Sequence, residues 1–182
     1  MVIKINEKIS EEAFDKVIAA INSLSSTNES KICVYLSSRG GSYNAMEGLL
    51  DLINCHQGII YLIGYGQILS CAFELFFRAE CEKKLVGGAC GMFHQSNISI
   101  DMNENMKPEY IEGEMQVKYM KGYMKSNTME LCRKLAFTAN EFKRIKQAKD
   151  VWFGVERMEE LLKVQKAKRI EDEQKIGIYS PK

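Results

Sequence analysis

Proline is nearly missing from this chain, with two residues in 182. Turns must therefore come from glycine and polar runs rather than from fixed-φ positions. Histidine is equally scarce, and any chemistry that needs an imidazole must use His56 or His94. The six cysteines (33, 55, 71, 81, 90 and 132) form no CxxC pair and no zinc-type spacing with those histidines. Charge of one sign is lacking too. The formal net charge is +1, which argues against nucleic acid or an anionic membrane as partner and leaves self-association open. The longest apolar runs, near 59–64 and 68–77, stop well short of the ~20 residues that a membrane span needs. No secretory leader opens the sequence, and several cysteines sit in apolar runs as small hydrophobes. The expectation is a soluble, reduced, cytoplasmic protein.

What is present fits one globular domain, since hydrophobic residues make up 46% and charged residues 27%. VIKI (2–5) reads as a short strand. Residues 10–24 read as a helix with Ser10 as N-cap and Glu11 and Glu12 in its first turn. ICVYLSS (32–38) reads as a buried strand that ends at Arg39-Gly40-Gly41-Ser42, and 44–54 as the next helix. IIYLIG (59–64) is a further strand, followed by a turn at 65–67 and an apolar helix, ILSCAFELFFRAE. KKLVGG and CGMFHQ give two more short strands. Beyond 96 a long Met-rich helix spans 108–136, and Thr138 with Glu141 forms a T-x-x-E capping box. DVWFG (150–154) is extended. A last helix covers roughly 155–168 and ends in a mixed-charge tail. Alternating strands and helices predict an α/β fold of βαβ units around a mostly parallel sheet.

In such sheets ligands and chemistry gather at the carboxyl ends of the strands. Gly40-Gly41, Ser70 and His94 each lie just past a predicted strand end. A serine hydroxyl is a poor nucleophile without an imidazole to take its proton, a carboxylate behind the imidazole and N–H donors for the oxyanion. His56 falls in a polar turn and reads as a solvated loop residue. His94, read alone, is an ordinary strand-end histidine, and Ser70 is a small residue at a tight helix start. Their shared location is what makes them a candidate pair. Gly40-Gly41 is either an ordinary strand-to-helix turn or a bare backbone where an amide meets a substrate carbonyl.

Three segments in this order, ICVYLSSRGGSYNAMEGL, YLIGYGQILSCAFEL and GMFHQSN, resemble the ClpP-like serine peptidases of the ClpP/crotonase-like superfamily. That family shows S-P-G-G, G-Q-A-A-S-M-G-A and M-I-H-Q-P in the same order. The resemblance is good over 28–97 and thinner over 138–160. It implies the ClpP/crotonase-like fold, with a head of 1–97 and 138–168, a protruding helical handle at about 98–137 and a tail at 169–182. It implies Ser70 as nucleophile, His94 as general base, and the amides of Gly41 and Cys71 as the oxyanion hole. The third triad member maps to Asp150 in IKQAKDVWFGVE, with Asp101 as competitor. No metal or organic cofactor is implied. Substrates would be peptides or unfolded polypeptides, and the assembly a heptameric ring or double ring, with Met115, Met120 and Met124 offering an adaptable apolar interface.

The departures are specific. Arg39 replaces the family's proline, Ile68 and Leu69 replace two alanines, Cys71 replaces methionine and Ala72 stands where glycine is usual. Large side chains beside the nucleophile are expected to reshape or crowd the pocket. Read as it stands, the chain opens almost at its first strand, without the N-terminal helix and axial loop by which the family engages an AAA+ unfoldase. That weighs against such a partner. The expected activity is a serine endopeptidase working through an acyl-enzyme. The alternatives are a catalytically silent structural subunit and a crotonase-type acyl-CoA enzyme.

Overall fold

The computed structural model describes residues 1–24, 31–95 and 109–175. In chain order the elements are β1 (Val2–Ile5), α1 (Glu11–Leu24), β2 (Lys31–Ser38), α2 (Tyr43–Cys55), β3 (Ile59–Leu69), α3 (Cys71–Arg78), β4 (Glu82–Phe93), α4 (Glu109–Lys134), α5 (Ala139–Lys146), β5 (Val151–Phe153) and α6 (Val155–Lys175). The sheet order is β1-β2-β3-β4-β5, so each strand lies beside its predecessor. The first four strands are parallel, and β5 joins β4 antiparallel. Successive strand residues point to opposite faces. One face carries Ile32, Val34, Leu36, Ile60 and Leu62, all buried in the main core with residues of α2 and α3. The other face leaves Val2 62%, Ile59 48% and Tyr61 37% exposed, although parallel sheets are ordinarily covered on both sides.

Local chemistry sets the helix starts. The Ser42 hydroxyl caps α2 by accepting from the Ala45 amide, and Thr138 and Glu141 form a reciprocal capping box at α5. Glu141 also ion-pairs with Arg157 at 2.8 Å, which ties α5 to α6.

An aromatic cluster locks together the elements that carry the candidate site. Phe73 of α3 stacks on Phe93 of β4 and on Phe153 of β5, each with ring centroids 5.2 Å apart. Phe137 closes the cluster against Phe93 and Phe153. Phe73, Phe93 and Phe153 are all buried. Deleting one such ring costs about 3–5 kcal/mol. Ser70 lies three residues before Phe73, His94 follows Phe93, and Asp150 lies three residues before Phe153. Core packing therefore fixes the spacing of the three polar side chains.

Three expectations are corrected. The turn at 65–67 is a bulge inside one continuous strand, β3, with the register shifting between Tyr65 and Gln67 around Gly66 (φ 57). Ile68 and Leu69 therefore end a strand rather than open a helix. The two short strands expected around 83–95 are one strand, β4, which passes Gly87 and Gly88 at positive φ. The last helix continues to Lys175, so the expected tail begins as helix. Among the described residues, no helix is long and apolar enough to cross a membrane.

Candidate active site

Ser70 sits between β3 and α3 in a backbone conformation unusual for a residue with a side chain (φ 54, ψ −124). Such geometry costs on the order of 1–3 kcal/mol and persists only where the surroundings enforce it. Here the Ser70 amide donates to the Met92 carbonyl at 2.8 Å, and its own carbonyl accepts from Phe73 and Glu74. The hydroxyl makes no capping bond to α3. A plain helix-start serine would use its oxygen there.

The hydroxyl instead meets an imidazole. Ser70 Oγ lies 2.7 Å from His94 Nε2, and His94 Nδ1 lies 3.1 Å from Asp150 Oδ1. An ionised carboxylate only accepts hydrogen bonds. Nδ1 therefore carries the proton, and Nε2 is left to accept from the serine. Asp150 is half-exposed on its side chain, and Arg144 Nη2 donates to its backbone carbonyl at 2.9 Å. Asp101 lies outside the described residues.

The glycine turn packs against this pair. A Cβ on Gly40 (φ 90) would meet the Leu69 carbonyl at 2.7 Å and Ser70 Cβ at 2.8 Å, so only glycine permits the approach. A Cβ on Gly41 would meet the Ile9 carbonyl at 2.2 Å. A bridge between Ile9 and Gly41 uses the Gly40 carbonyl and the Ser42 amide. That pattern leaves Gly41's own N–H and C=O on the side away from Ile9. Consistent with this, the Cys71 thiol donates to the Gly41 carbonyl at 3.4 Å. Cys71 is the first residue of α3, so its N–H has no intrahelical acceptor. Burial, reinforced by Glu74, pushes its thiol pKa up and keeps the sulfur neutral. A cavity of about 610 Å³ opens beside Gly40 and Gly41.

Ile68 and Leu69, the two large residues before Ser70, are not exposed: both are buried. Ile68 turns into the core, where a Cβ on Gly64 would meet its Cδ1. His56 is not simply solvated either: it caps the end of α2, half-buried, with Nε2 buried and unpartnered among the described residues. Lys8, whose stem lies against Gly41, Ile9 and Arg144 are site neighbours that sequence reasoning missed. For Lys8 and Ile9 no spacing signal exists, because they reach the glycine turn only through β1–β2 pairing.

A largely parallel sheet in chain order, with polar groups at its strand ends, defines a ClpP-like α/β fold. The chain belongs to the Clp protease family, whose model matches residues 1–156. Among solved structures it is similar to a mutant ClpP1 from Listeria monocytogenes, with TM-score 0.64 and 18% identity over 88% of this chain and 86% of that one. At that identity the likeness bears on the fold alone. No curated protein matches the chain significantly.

Proposed function

We propose that the chain is a serine endopeptidase that cleaves peptides or unfolded polypeptides through an acyl-enzyme. The observation that carries this reading is the unbroken hydrogen-bonded line from Ser70 Oγ through the His94 ring to Asp150. In the first step Ser70 Oγ attacks the scissile carbonyl carbon while Nε2 of His94 takes the hydroxyl proton. The carbonyl oxygen becomes an oxyanion that the Gly41 and Cys71 amides face. The Cys71 donor lies at the start of α3, whose dipole favours negative charge. His94 then returns the proton to the leaving amine. Water, deprotonated by the same nitrogen, releases the acyl group, and Asp150 holds the ring and stabilises its protonated form.

Two features support self-association. Among the described residues, the sheet face bearing Val2, Ile59 and Tyr61 lacks the cover that parallel sheets ordinarily have. In α4, the segment read as the handle, Tyr119 is 73% and Tyr123 42% exposed. The methionine interface fares differently: Met124 is buried within its own chain, Met120 is half-buried, and the Met115 side chain lies outside the described set. The cysteines are free, as a reducing cytoplasm would leave them.

A fluorophosphonate probe tests the reading. Wild type should label and cleave an internally quenched peptide, while Ser70→Ala and His94→Ala should lose labelling and on the order of 10⁴-fold or more in turnover. A folded wild type that never labels would turn the assignment towards a silent structural subunit.

A further inference from the structure

The cavity beside the glycine turn carries more than shape. Its walls include Lys8 and Arg39, both exposed. Among the described residues neither cation has an ion-pair partner. The one acidic residue on the wall, Glu7, is already paired with Lys16. The remaining polar wall groups, Asn6 and Gln67 among them, are neutral. The site thus has a surplus of positive charge and no internal carboxylate free to neutralise it.

Its position matters as much as its sign. The Lys8 stem lies against Gly41, where a Cβ would meet its Cγ at 2.8 Å. Arg39 immediately precedes Gly40, which packs on Ser70, and Gly41, which packs on Ile9 and Lys8. Both cations therefore flank the glycine turn, in a cavity whose walls adjoin Ser70 through Gly40 and do not themselves include Ser70, His94 or Asp150. Gly40, Gly41 and Gly66 leave their part of the wall without side chains, so a substrate group has room to enter. Arg39 offers a planar fork suited to a carboxylate, and Lys8 a compact point charge.

We propose that this cavity is a substrate subsite for a carboxylate close to the scissile bond, held by Lys8 and Arg39. The inference rests on the peptidase reading above. It makes the enzyme selective for acidic peptides, and the carboxylate is either an Asp or Glu side chain or a free peptide C-terminus. Both cations are exposed, so solvent moderates each contact. The combined preference is on the order of tenfold in kcat/KM at low ionic strength, shrinking as salt screens it.

The test uses the full chain and internally quenched peptides in matched pairs: Asp or Glu against Asn or Gln at each position flanking the cut, and free against amidated C-termini. Wild type should favour the acidic member about tenfold at low salt, with the ratio falling towards one as salt rises. In Lys8→Glu/Arg39→Glu the ratio should invert, and in Arg39→Gln it should shrink, with thermal melts confirming that both variants fold. A preference confined to side chains, or to free C-termini, supports the subsite and identifies the source of the carboxylate. An acidic-to-neutral ratio near one in wild type, or one untouched in the charge-reversed variant, overturns the subsite while leaving the peptidase standing. Absence of fluorophosphonate labelling and of any peptide cleavage overturns both.

Discussion

Asp150 stands apart from the other two members of the hydrogen-bonded line. Ser70 and His94 are anchored at the ends of long inner strands, whereas the carboxylate precedes a three-residue strand and is half-exposed. Water competes with it for the imidazole N–H, so in the proposed mechanism its orienting effect would be smaller than that of a fully enclosed carboxylate. Asp150→Asn should leave the fold intact and lower kcat by about 10²–10⁴-fold, with KM little changed. Steady-state kinetics on one peptide would show this, and a variant as active as wild type would remove Asp150 from the mechanism. At this scale the sequence was readable where chemistry is local: a serine before a helix, a histidine after a strand and two adjacent glycines stand out by residue type. Lys8 and Ile9 do not, because their meeting with Gly41 depends on long-range strand pairing that leaves no local pattern.

Among the elements, α3 and β4 share a buried amine. Lys83 is 8% exposed; its Nζ donates to the Phe77 carbonyl at 3.3 Å and to Gln165 Oε1 at 3.0 Å. Loss of hydration outweighs these contacts and lowers its pKa to about 8. Below pH 8 the amine is charged in both the folded and unfolded states, and the folded state carries the desolvation cost. Between pH 8 and the ordinary lysine value the unfolded chain holds a proton that the folded chain lacks, so this group's contribution to stability rises with pH, by about 3 kcal/mol in all. Buried thiols act in the opposite direction above their usual range, Cys132 being pushed up to about 12. The clean measurement is therefore a comparison. The stability of Lys83→Met relative to wild type should fall by about 2–3 kcal/mol between pH 7.5 and 10 in urea titrations. A difference that stays flat would mean that the amine remains hydrated and charged. Element boundaries were legible where caps marked them, as at Ser10 and Thr138. They were missed where glycine replaced a turn with a bulge. Gly66, Gly87 and Gly88 interrupt the apolar pattern as turns do, yet each strand continues past them and its ladder resumes with a shifted register. Only pairing with neighbouring strands separates the two cases.

For the whole molecule, the uncovered sheet face and the exposed tyrosines of α4 predict association. Sedimentation at micromolar concentration should show a species larger than one chain, and Tyr61→Glu should shift it towards monomer without loss of secondary structure. A strict monomer for wild type would leave the exposed face unexplained and count against a closed chamber. The overall layout was legible because strand and helix alternate so regularly; which surfaces stay bare was not, since burial depends on what packs where. The chain-order sheet carries a temporal consequence. As the polypeptide leaves the ribosome, each new strand docks on the one just made, and the serine and imidazole come together early. The carboxylate emerges 56 residues after the imidazole. A nascent chain would thus hold the serine and imidazole without their carboxylate partner until those further 56 residues are made.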